Sequence, residues 1–245
     1  MRVTSYIFPV IACVMAFFTM PMPGSAADLR LDRTEVTISD FAAFADATGF
    51  ITAAERNGGM VYEAGWVTKP NWNWRQPYGV PAPPNEPAVH ITFDEAEAYC
   101  RWRKKRLPTR DEWIQAGYVE SRSEPPPGFI AGKTYPYPTG MEPAGANCLS
   151  ACGIEDNPPA GKRDYGQYLW RGHGHAPVGS TKKGVNGLYD MGANIWEWAR
   201  LGNGQQQATM GGSWWYGAQQ MMADYGATKP RDMAVVYIGF RCANP

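Results

Sequence analysis

The chain has no excess of charge of either sign, because its 245 residues include 23 basic and 23 acidic side chains. Proteins that bind nucleic acid or an anionic membrane surface usually carry a basic excess or patch. The sequence therefore predicts no nucleic-acid partner and favours small or neutral partners. It also has no internal repeat, and its length is that of one domain with a substantial core.

A long hydrophobic run is missing too. The longest apolar stretch, Tyr6 to Phe18, is well short of the roughly 20 residues that a membrane-spanning helix needs. One positive charge precedes this stretch and small residues follow it, which is typical of a cleaved secretory signal. We therefore predict a signal peptide over residues 1–27 and a mature domain over residues 28–245. The protein is then periplasmic or secreted, with no membrane span after cleavage; an uncleaved anchor is the alternative.

Cysteine is scarce, with five residues in the chain. Cleavage of the predicted signal removes one of them and leaves Cys100, Cys148, Cys152 and Cys242. An even number of cysteines in an exported chain predicts disulfides, and four cysteines allow three connectivities.

Helical patterns are few, whereas glycine (27 residues) and proline (21 residues) are abundant. The chain is therefore predicted to be mostly loop and short strand around a few helices. One helix is predicted over about 40–48, with Ser39 as its N-cap and Gly49 as its stop. Two Thr-x-x-Glu capping boxes, at Thr92 and Thr109, predict two more.

Three motifs occur in a fixed order in the second half of the chain. They are Asn-Gly-Leu-Tyr-Asp-Met-Gly-Ala-Asn-Ile-Trp-Glu-Trp at 186–198, Gly-Gly-Ser-Trp at 211–214 and Gly-Phe-Arg-Cys at 239–242. With the capping-box segments at 87–102 and 106–113, they resemble the formylglycine-generating enzyme family, also called the sulfatase-modifying factor domain. The resemblance runs from about Arg33 to Cys242. It implies an α+β architecture: an irregular C-type-lectin-like fold with few helices, short strands and many ordered loops.

One feature of that family is missing here. Its enzymes oxidise a substrate cysteine with two thiols that bind copper(I), a metal suited to soft sulfur ligands. Tyr216 and Met221 occupy the positions of those thiols. The resemblance therefore implies that formylglycine generation in that form fails and that copper is not expected, and it leaves iron open. Cys148 and Cys152, in another segment, are a less favoured replacement pair.

The resemblance also implies which cysteines pair. In the family, the cysteine of the Ala-Tyr-Cys helix bonds the one in Gly-Phe-Arg-Cys, which here are Cys100 and Cys242. Cys148 and Cys152 are then left to close a small loop.

A structural calcium ion is implied at the longest motif. The matching positions are the side chains of Asp190 and Glu197 and the backbone near Ala193 and Ile195. Calcium prefers six to eight oxygen ligands, which a tight turn with two carboxylates can supply. The alternative is that the two carboxylates only cap the turn.

Candidate pocket residues follow from the same alignment of motifs. They are Ser213, Trp215, Tyr216 and His175. Aromatic side chains can fill a core or line a binding groove. We interpret the tryptophans of the longest motif and Trp214 as core. His173 and His175 form a weak candidate for a transition-metal site, because no third ligand stands at a fixed spacing.

Three functional hypotheses follow. The first is a diverged periplasmic oxidoreductase, resembling the cysteine-less proteins that act in oxidative maturation of siderophores such as pyoverdine. The second is a non-catalytic, lectin-like module that binds a small molecule, peptide, glycan or partner protein in an aromatic-lined groove. The third is a formylglycine-generating oxidase with an altered site.

Overall fold

The structure is a computed structural model that describes Met1, residues 30–152 and residues 174–245. Apart from Met1, the predicted signal peptide lies outside the described residues, as does His173. Within the described ranges, no helix is both long and apolar enough to cross a bilayer.

The α-helices of the described residues all begin with a threonine capping box. They are α1 (Ile38–Thr48), α2 (Ala53–Asn57), α3 (Phe93–Trp102) and α4 (Arg110–Tyr118). In each box the threonine hydroxyl accepts a hydrogen bond from the third helical N–H, and the acidic side chain there accepts one from the threonine N–H. The boxes predicted at Thr92 and Thr109 are confirmed.

The start of α1 differs from the prediction. Its N-cap is Thr37 and not Ser39, because Asp40 closes the box: the Asp40 N–H donates to Thr37 Oγ1 over 2.9 Å. The predicted stop is confirmed, since Gly49 has a left-handed φ of 67°. Helix α2 is not predicted, although Thr52 and Glu55 form the same Thr-x-x-Glu pattern, and its five residues are too few to show a hydrophobic period.

Six short strands form two sheets in the described part of the chain. Strands β1 (Gly59–Tyr62) and β2 (Trp66–Lys69) pair as an antiparallel hairpin. The second sheet contains β3 (Trp196–Ala199), β4 (Gln206–Met210), β5 (Ala227–Pro230) and β6 (Ile238–Gly239). Its order is β5-β4-β3-β6, with β6 parallel to β3 and the other neighbours antiparallel. The predicted α+β architecture of few helices and short strands is confirmed.

The main core joins the first helices to the motif segments. The ring of Phe41 in α1 contacts those of Trp74, Tyr99 and Phe240, with centroids 5.0–6.4 Å apart. Both predicted disulfides are present: Cys100–Cys242 lies in this core, and Cys148–Cys152 lies in a smaller cluster. The Gly-Phe-Arg-Cys motif is thus fixed to α3 by packing and by a covalent bond.

His90 packs against the first strand at a position that only glycine fits. Its Nε2 lies 2.9 Å from the carbonyl oxygen of Pro77, and burial lowers the pKa of its imidazole to about 4. An ideal Cβ on Gly59 would lie 2.3 Å from His90 Nδ1 and 2.7 Å from the carbonyl oxygen of Trp72. The neutral ring therefore occupies the space that a side chain on β1 would need.

We predict that Gly59→Ala destabilises the fold by about 1–3 kcal/mol, because the added methyl group displaces the buried imidazole or the backbone behind it. The matched control is Gly204→Ala, on an exposed turn where an ideal Cβ meets nothing closer than 4.0 Å. Urea unfolding of both variants, with the disulfides intact, measures the difference. Equal unfolding midpoints would contradict the prediction.

Candidate functional site

The longest motif turns sharply before it enters β3. Four of its residues other than glycine have left-handed φ: Asn186 (54°), Asp190 (59°), Ala193 (60°) and Asn194 (54°). Such angles are uncommon outside glycine, so neighbouring groups must hold them. The side-chain amide of Asn186 donates to two carbonyls at the end of α4, over 2.8 and 2.7 Å. The turn is therefore anchored to a helix before the strand begins.

Glu197 and Arg241 form a buried, bidentate ion pair. Arg241 Nε and Nη2 each lie 2.7 Å from a different oxygen of the Glu197 carboxylate. Trp113 Nε1 donates to the same carboxylate over 2.8 Å. The other guanidinium donors reach the carbonyl oxygens of Asp32 and Tyr189, over 3.0 and 2.9 Å. Both oxygens of Glu197 are thus already bound by strong donors.

Asp190 is also engaged by donors from its own surroundings. One carboxylate oxygen accepts from the Gly179 N–H and the other from Thr181 Oγ1, each over 2.6 Å. Burial raises the pKa of the Asp190 carboxyl above its usual range, although these hydrogen bonds oppose the shift.

The four positions proposed for calcium do not fit that ion in this arrangement. The carboxylates of Asp190 and Glu197 are both occupied by hydrogen-bond donors, and the guanidinium beside Glu197 repels a cation. Ala193 and Ile195 would have only backbone carbonyls to offer. Calcium at these residues stays a prediction of the resemblance, and elemental analysis of the purified chain tests it.

A third buried carboxyl group, Glu35, lies beside this network. Its Oε2 accepts from Asn194 Nδ2 over 2.7 Å, and its Oε1 has no hydrogen-bond partner among the described residues. Burial raises the pKa of Glu35 well above its usual range, and the nearby carboxylates Asp190 and Glu197 raise it further. The site therefore favours the neutral form of Glu35.

Of the two positions where the resembled family has its thiols, Tyr216 lies just before a 3₁₀ turn, Ala218–Met221, and Met221 is the last residue of that turn. Tyr216 is half-buried, whereas Met221 is fully buried against the Cys148–Cys152 disulfide. All cysteines of the described residues are in disulfides. Neither position, nor any described neighbour in this state, supplies a thiol.

Tyr216 belongs to a group of aromatic side chains that reaches the surface. Its hydroxyl lies 3.4 Å from that of Tyr237, and its ring is edge-on to Trp196 at a centroid distance of 5.6 Å. The ring of Tyr225 lies on the same tryptophan, with centroids 6.0 Å apart. Burial raises the pKa of Tyr216, the hydrogen bond with Tyr237 opposes this shift, and the phenols of Tyr225 and Tyr62 add to it. We call the exposed and half-buried members the aromatic face: Tyr62, Trp66, Tyr216 and Tyr225.

The hairpin part of the aromatic face is not found by sequence reasoning. Tyr62 and Trp66 pair across the β1–β2 hairpin with ring centroids 5.4 Å apart, and they are 44% and 45% exposed. Two large aromatic side chains flanking the Glu-Ala-Gly turn are the pattern that could have indicated it.

Two of the predicted pocket residues lie beneath this face. Ser213 is buried, and its hydroxyl accepts weakly from the Trp215 N–H over 3.3 Å. Trp215 is only 6% exposed and packs on Trp214 and Tyr237, with centroids 5.0 and 5.5 Å away. These residues support the aromatic face from within and do not line its surface.

The fourth predicted pocket residue, His175, lies in a buried polar chain. Its Nε2 is 2.7 Å from Glu86 Oε2, and its Nδ1 is 2.9 Å from the hydroxyl of Tyr78, which also accepts from the His175 N–H. His175 and Glu86 are completely buried and Tyr78 almost so. These hydrogen bonds tie the segment between β2 and α3, which carries Tyr78 and Glu86, to residue 175. The sequence indicates neither residue as a partner of His175.

The fold and the ordered motifs are those of a sulfatase-modifying factor domain, with the two thiol positions exchanged. A family model described as the sulfatase-modifying factor enzyme 1-like domain matches residues 22–245. The chain therefore belongs to this family.

The relatives of this chain include proteins named as formylglycine-generating enzymes and proteins named as inactive. The chain is 30% identical to a formylglycine-generating enzyme of Streptomyces coelicolor, over 88% of this chain and 77% of that protein. It is 31% identical to an inactive C-alpha-formylglycine-generating enzyme 2 of Mus musculus, over 73% of this chain and 57% of that protein. The structure of PvdO from Pseudomonas aeruginosa superposes with a TM-score of 0.58 at 17% identity, over 87% of this chain and 78% of that one, which shows a shared fold.

We predict that Glu35→Gln removes one contribution to the pH dependence of stability. A carboxyl group whose pKa is raised on folding stabilises the fold below its unfolded pKa of about 4.3, and this contribution is lost as the pH rises through the folded pKa. Relative to the variant, the wild type should therefore lose stability between about pH 5 and pH 8. Other groups give both proteins a slope of their own: burial also raises the pKa of Asp190 and Glu95, and it lowers the pKa of His90, whose titration acts in the opposite direction.

Urea unfolding at the two pH values measures this slope. Glu112→Gln is the control, because hydrogen bonding to Arg106 lowers the pKa of Glu112 and its titration lies below this range. Parallel pH profiles of stability for Glu35→Gln and the wild type would contradict the prediction.

Proposed function

We propose that this chain is an exported maturation factor that oxidises a peptide-like or aromatic substrate held at the aromatic face, and not a cysteine-to-formylglycine oxidase. The observation that carries the proposal is the replacement of the two thiols by Tyr216 and Met221 within an otherwise family-like core. A copper(I) ion at that position would need two soft ligands, and a phenol does not supply one.

The aromatic face supports recognition of a flat or extended substrate. Aromatic rings bind such groups by stacking and by apolar contact, while a phenol adds a hydrogen bond at the edge. Tyr216 is suited to both, because its ring is held between Trp196 and Tyr237 while part of it reaches solvent. We therefore assign Tyr216 to substrate positioning and not to redox chemistry.

Loss of the aromatic face should block maturation of the substrate. We compare the exported metabolites and peptides of the producing organism by untargeted mass spectrometry, with the gene deleted and then complemented. The deletion strain should accumulate a precursor that differs from the missing product by two hydrogens or one oxygen. The wild-type chain should restore the product. Tyr216→Ala should restore at most about a tenth of it, because the variant loses a stacking contact with the substrate.

Trp102→Ala, an exposed aromatic on α3 away from the aromatic face, is the control and should complement fully. Near-ultraviolet circular dichroism verifies that both variants are folded. Identical exported pools in the deletion and wild-type strains would contradict an oxidative role.

A second function, a non-catalytic binding module for a glycan, peptide or protein, is favoured by one observation. The Tyr62–Trp66 pair extends the aromatic face onto an exposed hairpin, where it has no part in the core. If this is the function, Trp66→Ala abolishes ligand capture on a glycan or peptide array while the exported pool stays unchanged. Among the residues that the structure describes, no contact favours the third hypothesis, an altered formylglycine-generating oxidase.

The proposed location is testable apart from the activity. An exported chain should be recovered from the periplasm or medium with its N-terminus near Asp28, and N-terminal sequencing decides this.

A further inference from the structure

We infer that Tyr78 is a redox-active tyrosine, which loses one electron through the aromatic core while its phenol proton moves to His175. The electron acceptor is a one-electron oxidant at the aromatic face, of the class of organic radicals. The inference goes beyond the proposed function, because it assigns a role to a buried hydroxyl group whatever substrate the aromatic face binds.

The Tyr78 hydroxyl lies against a base inside the protein. Its oxygen is 2.9 Å from His175 Nδ1 and also accepts a hydrogen bond from the His175 N–H over 2.9 Å. Both side chains are at most 4% exposed. We assign the imidazole hydrogen to Nε2, because Nδ1 then accepts the phenol hydrogen while Nε2 donates to the Glu86 carboxylate over 2.7 Å. The phenol proton therefore has an acceptor within one hydrogen bond.

Glu86 prepares this acceptor for a positive charge. Its Oε2 is bound to His175, and its Oε1 has no hydrogen-bond partner among the described residues. The carboxylate is completely buried, where a charge without an opposite partner is costly. Protonation of His175 turns the contact into an ion pair. The site therefore favours the extra proton on the imidazole once Tyr78 is oxidised.

The hydroxyls of two other buried tyrosines face no such base in their hydrogen bonds. The Tyr118 hydroxyl donates to the carbonyl oxygen of Met221 over 2.9 Å, and that of Tyr135 lies 3.5 Å from the carbonyl oxygen of Gly128. A peptide carbonyl is too weak a base to keep the proton of an oxidised phenol. Of these three tyrosines, Tyr78 is the one that its surroundings make easiest to oxidise.

Aromatic rings connect Tyr78 to the underside of the aromatic face. The ring centroids are 6.0 Å apart from Tyr78 to Trp214, 5.0 Å from Trp214 to Trp215 and 5.5 Å from Trp215 to Tyr237. Tyr237 in turn contacts the ring of Tyr216, with centroids 5.7 Å apart. Tryptophan and tyrosine are the aromatic side chains that lose an electron most readily, and electrons pass easily between rings in contact. The path therefore joins a buried hydroxyl to the surface, and Tyr216 covers its outer end.

One electron and one proton move in the reaction. The oxidant at the aromatic face gains one electron and is reduced to its anion, and each ring on the path is oxidised and then reduced again. Tyr78 supplies that electron; its O–H bond breaks and an N–H bond forms at His175 Nδ1. The products are a neutral tyrosyl radical and an imidazolium ion paired with Glu86. The electron crosses Tyr216 without oxidising it, so that residue keeps its role in substrate positioning.

The first experiment oxidises the purified full chain without any substrate, so its outcome is independent of the proposed function. A ruthenium(III) complex generated by a light flash is the one-electron oxidant, and the frozen sample is measured by electron paramagnetic resonance. We expect a trapped tyrosyl radical in the wild type and its loss in Tyr78→Phe. In His175→Gln and Glu86→Gln its yield should fall about tenfold or more, because a hydrogen bond to a charged group is lost.

Tyr135→Phe is the matched control, because Tyr135 is equally buried but its hydroxyl bonds only to backbone groups. This variant should give the same radical as the wild type. Near-ultraviolet circular dichroism verifies that each variant is folded. An unchanged radical in folded Tyr78→Phe, or no tyrosyl radical in the wild type, would overturn the inference.

The second experiment tests the base in the wild-type chain. With isotopically labelled histidine, the radical should show a magnetic coupling to a histidine nitrogen, because His175 holds the transferred proton against the tyrosyl oxygen. A radical without this coupling overturns the inference even if Tyr78→Phe fails to fold.

The third experiment tests the path through the rings. The double variant Trp214→Phe/Trp215→Phe keeps aromatic packing but removes two readily oxidised rings, so the radical at Tyr78 should form in lower yield. Trp102→Phe, an exposed tryptophan on α3 outside the path, is the control and should match the wild type. Equal yields in the double variant and the wild type would overturn the path.

Discussion

The buried pair between Arg241 and Glu197 is the interaction on which the rest of the structure depends. The guanidinium joins β3 to the chain before α1, through Asp32, and to the longest motif, through Tyr189. Trp113 brings α4 to the same carboxylate. This network holds β3, the chain before α1, the longest motif and α4 together. Removing one partner of a buried ion pair leaves an unpaired charge and costs about 3–5 kcal/mol.

This network changes what the longest motif does. Carboxylates at Asp190 and Glu197 could serve a cation, but here they accept hydrogen bonds from donors that the fold itself supplies. Glu35, close by, is driven towards its neutral form by burial and by these two carboxylates. The motif therefore shapes the turn before β3, and its Trp196 packs against Tyr216 of the aromatic face.

Local features were predictable from the sequence, whereas contacts across the chain were not. The boxes at Thr92 and Thr109 depend on residues three apart, so the sequence shows them directly. Thr37 was missed because aspartate, not glutamate, closes its box, and Thr52 was missed because no hydrophobic period follows its Thr-x-x-Glu pattern. The resemblance supplied the fold and the cysteine pairing. The contact of Met221 with Cys152 and the partners of His175 follow only from the tertiary path of the loops.

The Cys100–Cys242 disulfide, which spans 142 residues, closes the second half of the domain into a covalent ring. The longest motif, the 3₁₀ turn and Arg241 all lie within this ring, and the five-residue loop of Cys148–Cys152 is a smaller ring inside it. A single cut by a protease anywhere in the large ring separates no fragment from the molecule. This part of the domain can therefore be nicked once and still keep its pieces together until the disulfide is reduced.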